Sequence, residues 1–280
     1  MSDLQPFYLP LPSPEGTADA AGDDEAGTER FEATFSTTGP WFADAQHGGP
    51  PSALLVRALE RVEPSRADAP PAMLARITVE VLGAVPAGPV EVRAGVERSG
   101  RTIEMLYATM SAGGRDVLKA RAWRLARGDT AARQTGLAPS LPGLDHATVR
   151  TERPEGWLPG FMDAVEWAWL DGWLAEAGPG RAWIRPRVAI VDGEQASPLQ
   201  KMMIAADSAN GLAAPLDVRE WLFVNTELTV HLHRDPVAGW TGVEASTVVG
   251  PFGVGTVSAN LFDGDGHVGR ISQALTIRSR

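Results

Sequence analysis

The sequence predicts an α+β chain built as two tandem repeats, each a long central helix wrapped by a curved antiparallel sheet. Three observations predict it. The chain has 280 residues, 44% apolar and 21% charged, enough for one large domain or two of about 130 residues. A stretch from about 128 to 156, broken by Pro139, Pro142, Gly143 and Pro154, divides it nearly in half. The halves superpose without a gap over about fifty residues at an offset of 151, the signature of an internal repeat. Thr78-Val79 falls on Thr229-Val230, Ala87-Gly88 on Ala238-Gly239, Val92 on Val243, Ala94 on Ala245, Ala108 on Ala259, Gly113 on Gly264 and Val117 on Val268.

Each half carries the same order of elements. In the first, residues 30–37 read as a strand and 50–62 as an apolar helix, followed by strands at 74–82, 90–98, 102–112 and 117–125. In the second, 161–170 and 181–190 read as strands. A helix runs from 198 to about 209, with Leu199, Met202, Met203 and Ile204 in its early turns. Strands at 222–233, 240–249, 253–262 and 268–277 complete it. Ser197-Pro198-Leu199-Gln200 is a helix start with Ser197 as cap, Pro198 in the first turn and Gln200 closing a capping box. Long antiparallel strands and one helix bury each other only if the sheet curls around the helix. That is the hotdog layout, and two in one chain make a double hotdog. The expected organisation is an N-terminal unit at 1–129, with an arm and an acidic loop at 16–28, a linker at 130–156, and a C-terminal unit at 157–280.

Composition removes several chemistries. Without cysteine there is no disulfide framework, cysteine nucleophile, thiolate zinc site or iron–sulfur cluster. A formal charge of −10 argues against a nucleic-acid partner, since phosphate binding rests on clustered cations; an anionic small molecule stays open. No run approaches the roughly 20 apolar residues that span a bilayer. The start, MSDLQPFYLPLPSPEG, lacks a basic leader, so the expectation is a cytoplasmic protein without membrane partners.

The chain resembles the acyl-CoA thioesterase II (TesB-like) family of double-hotdog enzymes over nearly its whole length. The likeness rests on Gly39-Pro40-Trp41, on Gln46-His47-Gly48-Gly49-Pro50, on the run from Asn225 to Arg234, and on Gly269-Arg270-Ile271-Ser272-Gln273. The last two segments are the more specific.

Comparing the halves locates candidate chemistry independently. Asp207 falls on Val56 at the repeat offset, Gln273 on Ala122 and Asn225 on Leu74. Three polar positions of the second half thus face three apolar ones in the first. Hydrolysing a thioester requires a water that is held and deprotonated near the carbonyl, and donors for the oxyanion. A carboxylate on an apolar helix suits the base, and amide side chains suit holding a water. The resemblance implies the same roles, with an Asp, a Thr/Asn position and a Gln forming the hydrolytic set. Asp207 and Gln273 match their motif positions, while the middle member is Asn225 or, if a bulge intervenes, its neighbour Thr226. Each also has a structural reading: a solvated late-helix Asp, an edge-strand Gln, and an Asn that starts a strand.

His47-Gly48-Gly49 invites comparison with a lipase oxyanion loop, but no G-x-S-x-G accompanies it. It reads as the opening of the first helix, with a substrate-binding role near the acyl channel as the functional alternative. His231 and His233 share a strand face without a third ligand, so no metal site is expected, and no cofactor. Arg98 and Arg101 sit at a turn where contact with CoA phosphates competes with plain exposure. Trp167, Trp169 and Trp173 read as core or inter-subunit packing before an acyl-chain wall.

The leading expectation is therefore hydrolysis of a medium- or long-chain fatty acyl-CoA to free acid and CoA by activated-water attack. The alternatives are a hotdog enoyl-thioester hydratase, disfavoured because no His stands at a comparable helix position of the second half, and a non-catalytic acyl-thioester binding protein. The resemblance implies a homodimer or homotetramer.

Overall fold

The computed structural model describes residues 4–12, 27–136, 140–174 and 176–280. The acidic loop expected at 16–28 lies outside the described residues except for Gly27 and Thr28, as do residues 137–139 of the linker. The first half contains β1 (Tyr8–Leu11), β2 (Glu29–Ala33), a 3-10 turn at Phe35–Thr37, α1 (Gly49–Glu60), β3 (Ala72–Val81), β4 (Gly88–Arg98), β5 (Ile103–Ala112) and β6 (Arg115–Ala126). The second contains β7 (Thr148–Arg150), α2 (Phe161–Ala164), β8 (Val165–Asp171), β9 (Gly180–Pro186), α3 (Pro198–Ala206), α4 (Ala209–Leu212), β10 (Trp221–Asn225), β11 (Glu227–Leu232), β12 (Thr241–Val249), β13 (Val254–Asp263) and β14 (Gly266–Ser279).

All fourteen strands form one antiparallel sheet, in which β3 and β11 join the two halves edge to edge. Its order is β1-β2-β4-β5-β6-β3-β11-β14-β13-β12-β9-β8-β7, with β10 also pairing β14. The joint shows how the repeat is built. Thr78 pairs with Thr229, its own equivalent 151 residues on, and their hydroxyls meet at 3.1 Å. A residue paired with its own counterpart marks a pseudo-twofold axis. The rest of the register obeys it: Leu74 faces Arg124 as Asn225 faces Leu275, 151 residues later in both cases.

The helices lie against the sheet of their own half, α1 on β4 and β5, α3 on β9 and β12, and they pack against each other. Eleven of the twelve α1 residues are buried, the condition of a helix covered on all sides. Its one buried charge, Arg57, is held by Glu29 at 2.7 and 2.9 Å and by Glu194 at 2.7 and 2.8 Å. An Arg–carboxylate network of this geometry satisfies a guanidinium that burial would otherwise strand.

Several boundaries differ from expectation. The second helix is not long: it stops at Ala206, and a separate turn follows at Ala209–Leu212. The run Asp207-Ser208-Ala209-Asn210-Gly211 explains the break, because short polar side chains bond locally to backbone. Ser208 Oγ donates to Ile204 O at 3.4 Å, and Asn210 Oδ1 accepts from Gly211 N at 2.8 Å. Phe161–Ala164 is a helical turn rather than the start of a strand, entered through Gly160 at φ +102°. Residues 35–37 form a 3-10 turn, so the first strand ends early. Strand 222–233 is split at Thr226, whose N–H donates to Ala274 O and whose carbonyl accepts from Val81 N, both at 2.9 Å, but which belongs to neither strand: Asn225 pairs with Leu275 and Thr229 with Ser272, one residue out of step. The arm supplies β1 and the linker β7, which pairs with β8. Finally, Ser197 does cap α3, accepting from Gln200 N at 3.1 Å, but no capping box closes because the Gln200 amide donates to Glu60 instead, at 2.6 Å.

Candidate active site

Asp207 is the C-cap of α3, and the antiparallel packing of the helices points it at the first turn of α1. The contact is close: a Cβ added to Gly48 would lie 2.6 Å from Asp207 Oδ2 and 2.8 Å from Oδ1. Gly48 has φ −67° and ψ −17°, which any residue adopts, so space and not backbone freedom demands glycine here. At Gly49 an added Cβ would stand 2.8 Å from Ile204 O. The His47-Gly48-Gly49 segment is therefore the seat of the α3 terminus.

Four side chains and this turn converge. Asn225, the last residue of β10, donates from Nδ2 to Asp207 Oδ1 at 2.9 Å. His47 Nδ1 lies 3.3 Å from Asp207 Oδ2 and accepts from Gly49 N at 3.0 Å. Gln273 on β14 extends Nε2 to the Asp207 carbonyl at 3.5 Å, while its buried Oε1 has no partner among the described residues. The His47 ring stacks flat on Phe161, centroids 3.7 Å apart and planes within 3°. The backbone bond from His47 N to Thr37 O, 2.7 Å, fixes its base.

Burial sets the charges. Asp207 is 4% exposed, and desolvation raises its carboxyl from 3.8 to about 6 against the opposing pull of the Asn225 hydrogen bond. Burial likewise lowers His47 to about 3, so the imidazole is neutral at pH 7. Its Nδ1 accepts from Gly49, which leaves the ring proton on Nε2. The 3.3 Å contact with Asp207 is thus not an ion pair.

The structure therefore brings together Asp207, Asn225, Gln273, His47, Gly48 and Gly49. It leaves out Thr226, the bulged residue, which is exposed and donates from Oγ1 to Ala274 O at 3.3 Å. The contact between His47 and Asp207 corrects an expectation. A histidine does stand beside the carboxylate, contributed by the other half, and a comparison of equivalent helix positions could not reveal it. Phe161 was not anticipated either, because its stacking on His47 crosses 114 residues of chain. Elsewhere, Arg98 donates to Ile103 O and Arg101 pairs with Asp68. His231 and His233 are exposed, and no cluster that could hold a metal occurs among the described residues. Trp167 and Trp169 are core residues, and Trp173 lies beyond the end of β8.

A family model described as acyl-CoA thioesterase N-terminal domain matches residues 37–125, and one described as acyl-CoA thioesterase C-terminal domain matches 143–277. Among solved structures, a hot dog fold protein of Alicyclobacillus acidocaldarius matches with a TM-score of 0.71 at 15% identity, over 91% of this chain and 95% of that one. A Thermobifida fusca protein provisionally classed as a thioesterase II matches at 0.69 and 18%, over 90% and 92%. The acyl-CoA thioesterase II TesB2 of Mycobacterium marinum matches at 0.63 and 15%, over 91% and 93%. These likenesses establish the hotdog fold. No curated protein matches at a significant level.

Proposed function

The chain belongs to the acyl-CoA thioesterase family and is a thioester hydrolase, and from that premise we propose that Asp207 is its general base, with Gln273 and Asn225 positioning the attacking water. The observation that carries this reading is the buried Asp207 carboxylate, raised to about 6 yet mostly ionised at pH 7. Water held between Asp207 and Gln273 Oε1 gives a proton to the carboxylate as its oxygen bonds to the thioester carbonyl. The carbonyl electron pair moves to oxygen, beside the first turn of α1. Gly49 N is engaged with His47 Nδ1, and Pro50 and Pro51 have no N–H, so Gly48 N–H is the amide left to meet the oxyanion. Collapse breaks the C–S bond, and the proton on Asp207 passes to the departing thiolate, releasing acid and CoA.

The substrate reading is a medium- or long-chain fatty acyl-CoA. It is supported by a cavity of about 280 Å³ with Trp157, Leu174, Ala214, Leu216 and Val218 in its wall, which Glu155, Glu176, Asp217 and Arg219 also line. Trp157 packs on Gly211 of α4 and lies 5.8 Å from Trp41, which in turn lies 4.7 Å from Phe223, two residues before Asn225. We retain the division into units at 1–129 and 157–280. The end of β6 at Ala126 supports the first boundary, while the C-terminal family match begins inside the linker, at 143, and β7 of the linker pairs with β8.

The test is free-thiol release from a panel of acyl-CoAs by the wild type, Asp207→Asn and Gln273→Ala. Turnover lost ~10²-fold or more in both variants is expected; turnover that survives both overturns the site. One observation favours a second reading, hydration of an enoyl-thioester: the His47–Asp207 contact sets an imidazole beside a carboxyl group. Water addition to an enoyl-CoA, followed by loss of its ultraviolet absorbance without thiol release, separates the two.

A further inference from the structure

The pseudo-twofold that builds the site also generates its counterpart, at the other end of the α1–α3 pair, ~13 Å away for a nine-residue helix. There Glu60, the last residue of α1, faces the first turn of α3, as Asp207 at the end of α3 faces the first turn of α1. It accepts from Ser197 Oγ at 2.9 Å and from Gln200 Nε2 at 2.6 Å. The residues at the equivalent hydrolytic positions are apolar. In the helices the repeat runs three residues shorter than in the strands, 148 from Pro50 to Pro198, so the position equivalent to Asp207 is Leu59 and not Val56, while Leu74 replaces Asn225 and Ala122 replaces Gln273. If the counterpart had been filled in by packing, these side chains would close it. Instead Leu59 and Leu74 line a cavity of about 740 Å³, shared with Met73, Leu199, Arg101 and Arg127 and with the carboxylates Glu60, Glu63, Glu104 and Asp235.

That volume is in the range of small-molecule sites, and its lining is graded. Leu59, Leu74 and Leu199 are buried at its floor. Deeper polarity is already spent: Arg124, at the position of Leu275, is locked to Glu104 and donates to Val62 O. At the mouth, Arg101 and Arg127 pair with Asp68 at 3.4 Å and Asp235 at 2.7 Å, all four side chains about half exposed or more. Exposed pairs of this kind contribute little and exchange readily for another anion.

We propose that this cavity is a second, non-hydrolytic binding site, taking an apolar chain against Leu59, Leu74 and Met73 and its anionic head at Arg101 and Arg127. The ligand is an acyl thioester or the carboxylate released from it, a choice that rests on the thioesterase reading above. No water is activated there, because Leu59, Leu74 and Ala122 offer neither base nor amide and Glu60 is engaged by Ser197 and Gln200.

The test is binding stoichiometry on the full chain, by calorimetry with the thioether dodecyl-CoA and separately with dodecanoate, beside Met73→Trp and Arg127→Glu. Two thioether molecules per wild-type chain are expected. The second is lost in Met73→Trp and weakened at least ~10-fold in Arg127→Glu, while thiol release from dodecanoyl-CoA is unchanged in both. Arg127 is exposed, so its variant keeps the test valid if Met73→Trp fails to fold. Dodecanoate filling the second site by itself identifies the product as occupant; thioether binding without it identifies the acyl-CoA. One thioether molecule per wild-type chain with no dodecanoate bound at the second site, or two that survive both variants, overturns the proposal. Absence of thiol release from every acyl-CoA overturns the hydrolase reading instead.

Discussion

Replacing Asp207 by Asn separates what the carboxylate does for the reaction from what it does to the fold. The folded chain binds the Asp207 proton at about 6, whereas an ordinary exposed Asp binds it at 3.8. A folded-state value above the unfolded one means that the proton stabilises the fold. That contribution is complete below about pH 4 and is lost as pH rises through about 6. About two decades of affinity, at ~1.4 kcal/mol each, correspond to about 3 kcal/mol of stability lost between pH 4 and pH 8. Asparagine has the same shape and no charge. Its Oδ1 keeps the Asn225 hydrogen bond, and its Nδ2 takes the place of Oδ2, 3.3 Å from His47 Nδ1. Asp207→Asn is thus expected to abolish turnover and to stabilise the protein at pH 8 by ~1–3 kcal/mol. In a chain of 280 residues that is ~2–5 °C in melting temperature. The assay is thermal unfolding of both proteins from pH 4.5 to 8.5, where the gap should open with pH. A variant that is less stable at pH 8, or a gap constant across the range, refutes the burial argument.

The remaining expectations address the same site. The rate at saturating substrate should rise tenfold per pH unit below about 6 and level off above it, because only ionised Asp207 accepts a proton; a flat profile from pH 5 to 8 excludes it as base. Gly48→Ala keeps an allowed backbone but drives a methyl against the carboxylate, so thiol release should fall at least ~10-fold with little change in folding, read by circular dichroism and kinetics together. Asn225→Ala should cost ~10-fold or more and Thr226→Ala under ~2-fold, since only the former touches Asp207; equal effects would reverse that assignment.

Position along the chain was read best where burial imposes a period. The 151-residue repeat follows from alternating strands, and the register reproduces it down to the Thr78–Thr229 pair and the matching irregularities after Leu74 and Asn225. The polar triplet Asp207, Asn225 and Gln273 stood out because its counterparts are apolar. Helix ends were read less well. Periodicity continues past Ala206, and only the local bonds of Ser208 and Asn210 show that the helix stops. Gln200 similarly fits a capping box in sequence, yet its amide prefers Glu60, 140 residues away.

The sequence by itself determined the repeat, the fold class and which polar residues break the symmetry, because each is a property of residues at fixed spacing on one strand or helix. Only the tertiary structure decided the rest. Antiparallel packing of α1 on α3 sets His47 and Gly48 against Asp207, a bulge turns Thr226 away, and the symmetric counterpart of the site stays open as a cavity. Such contacts join segments from different halves, and their geometry depends on how two helices and a shared sheet fill space together, which no periodicity within one segment encodes.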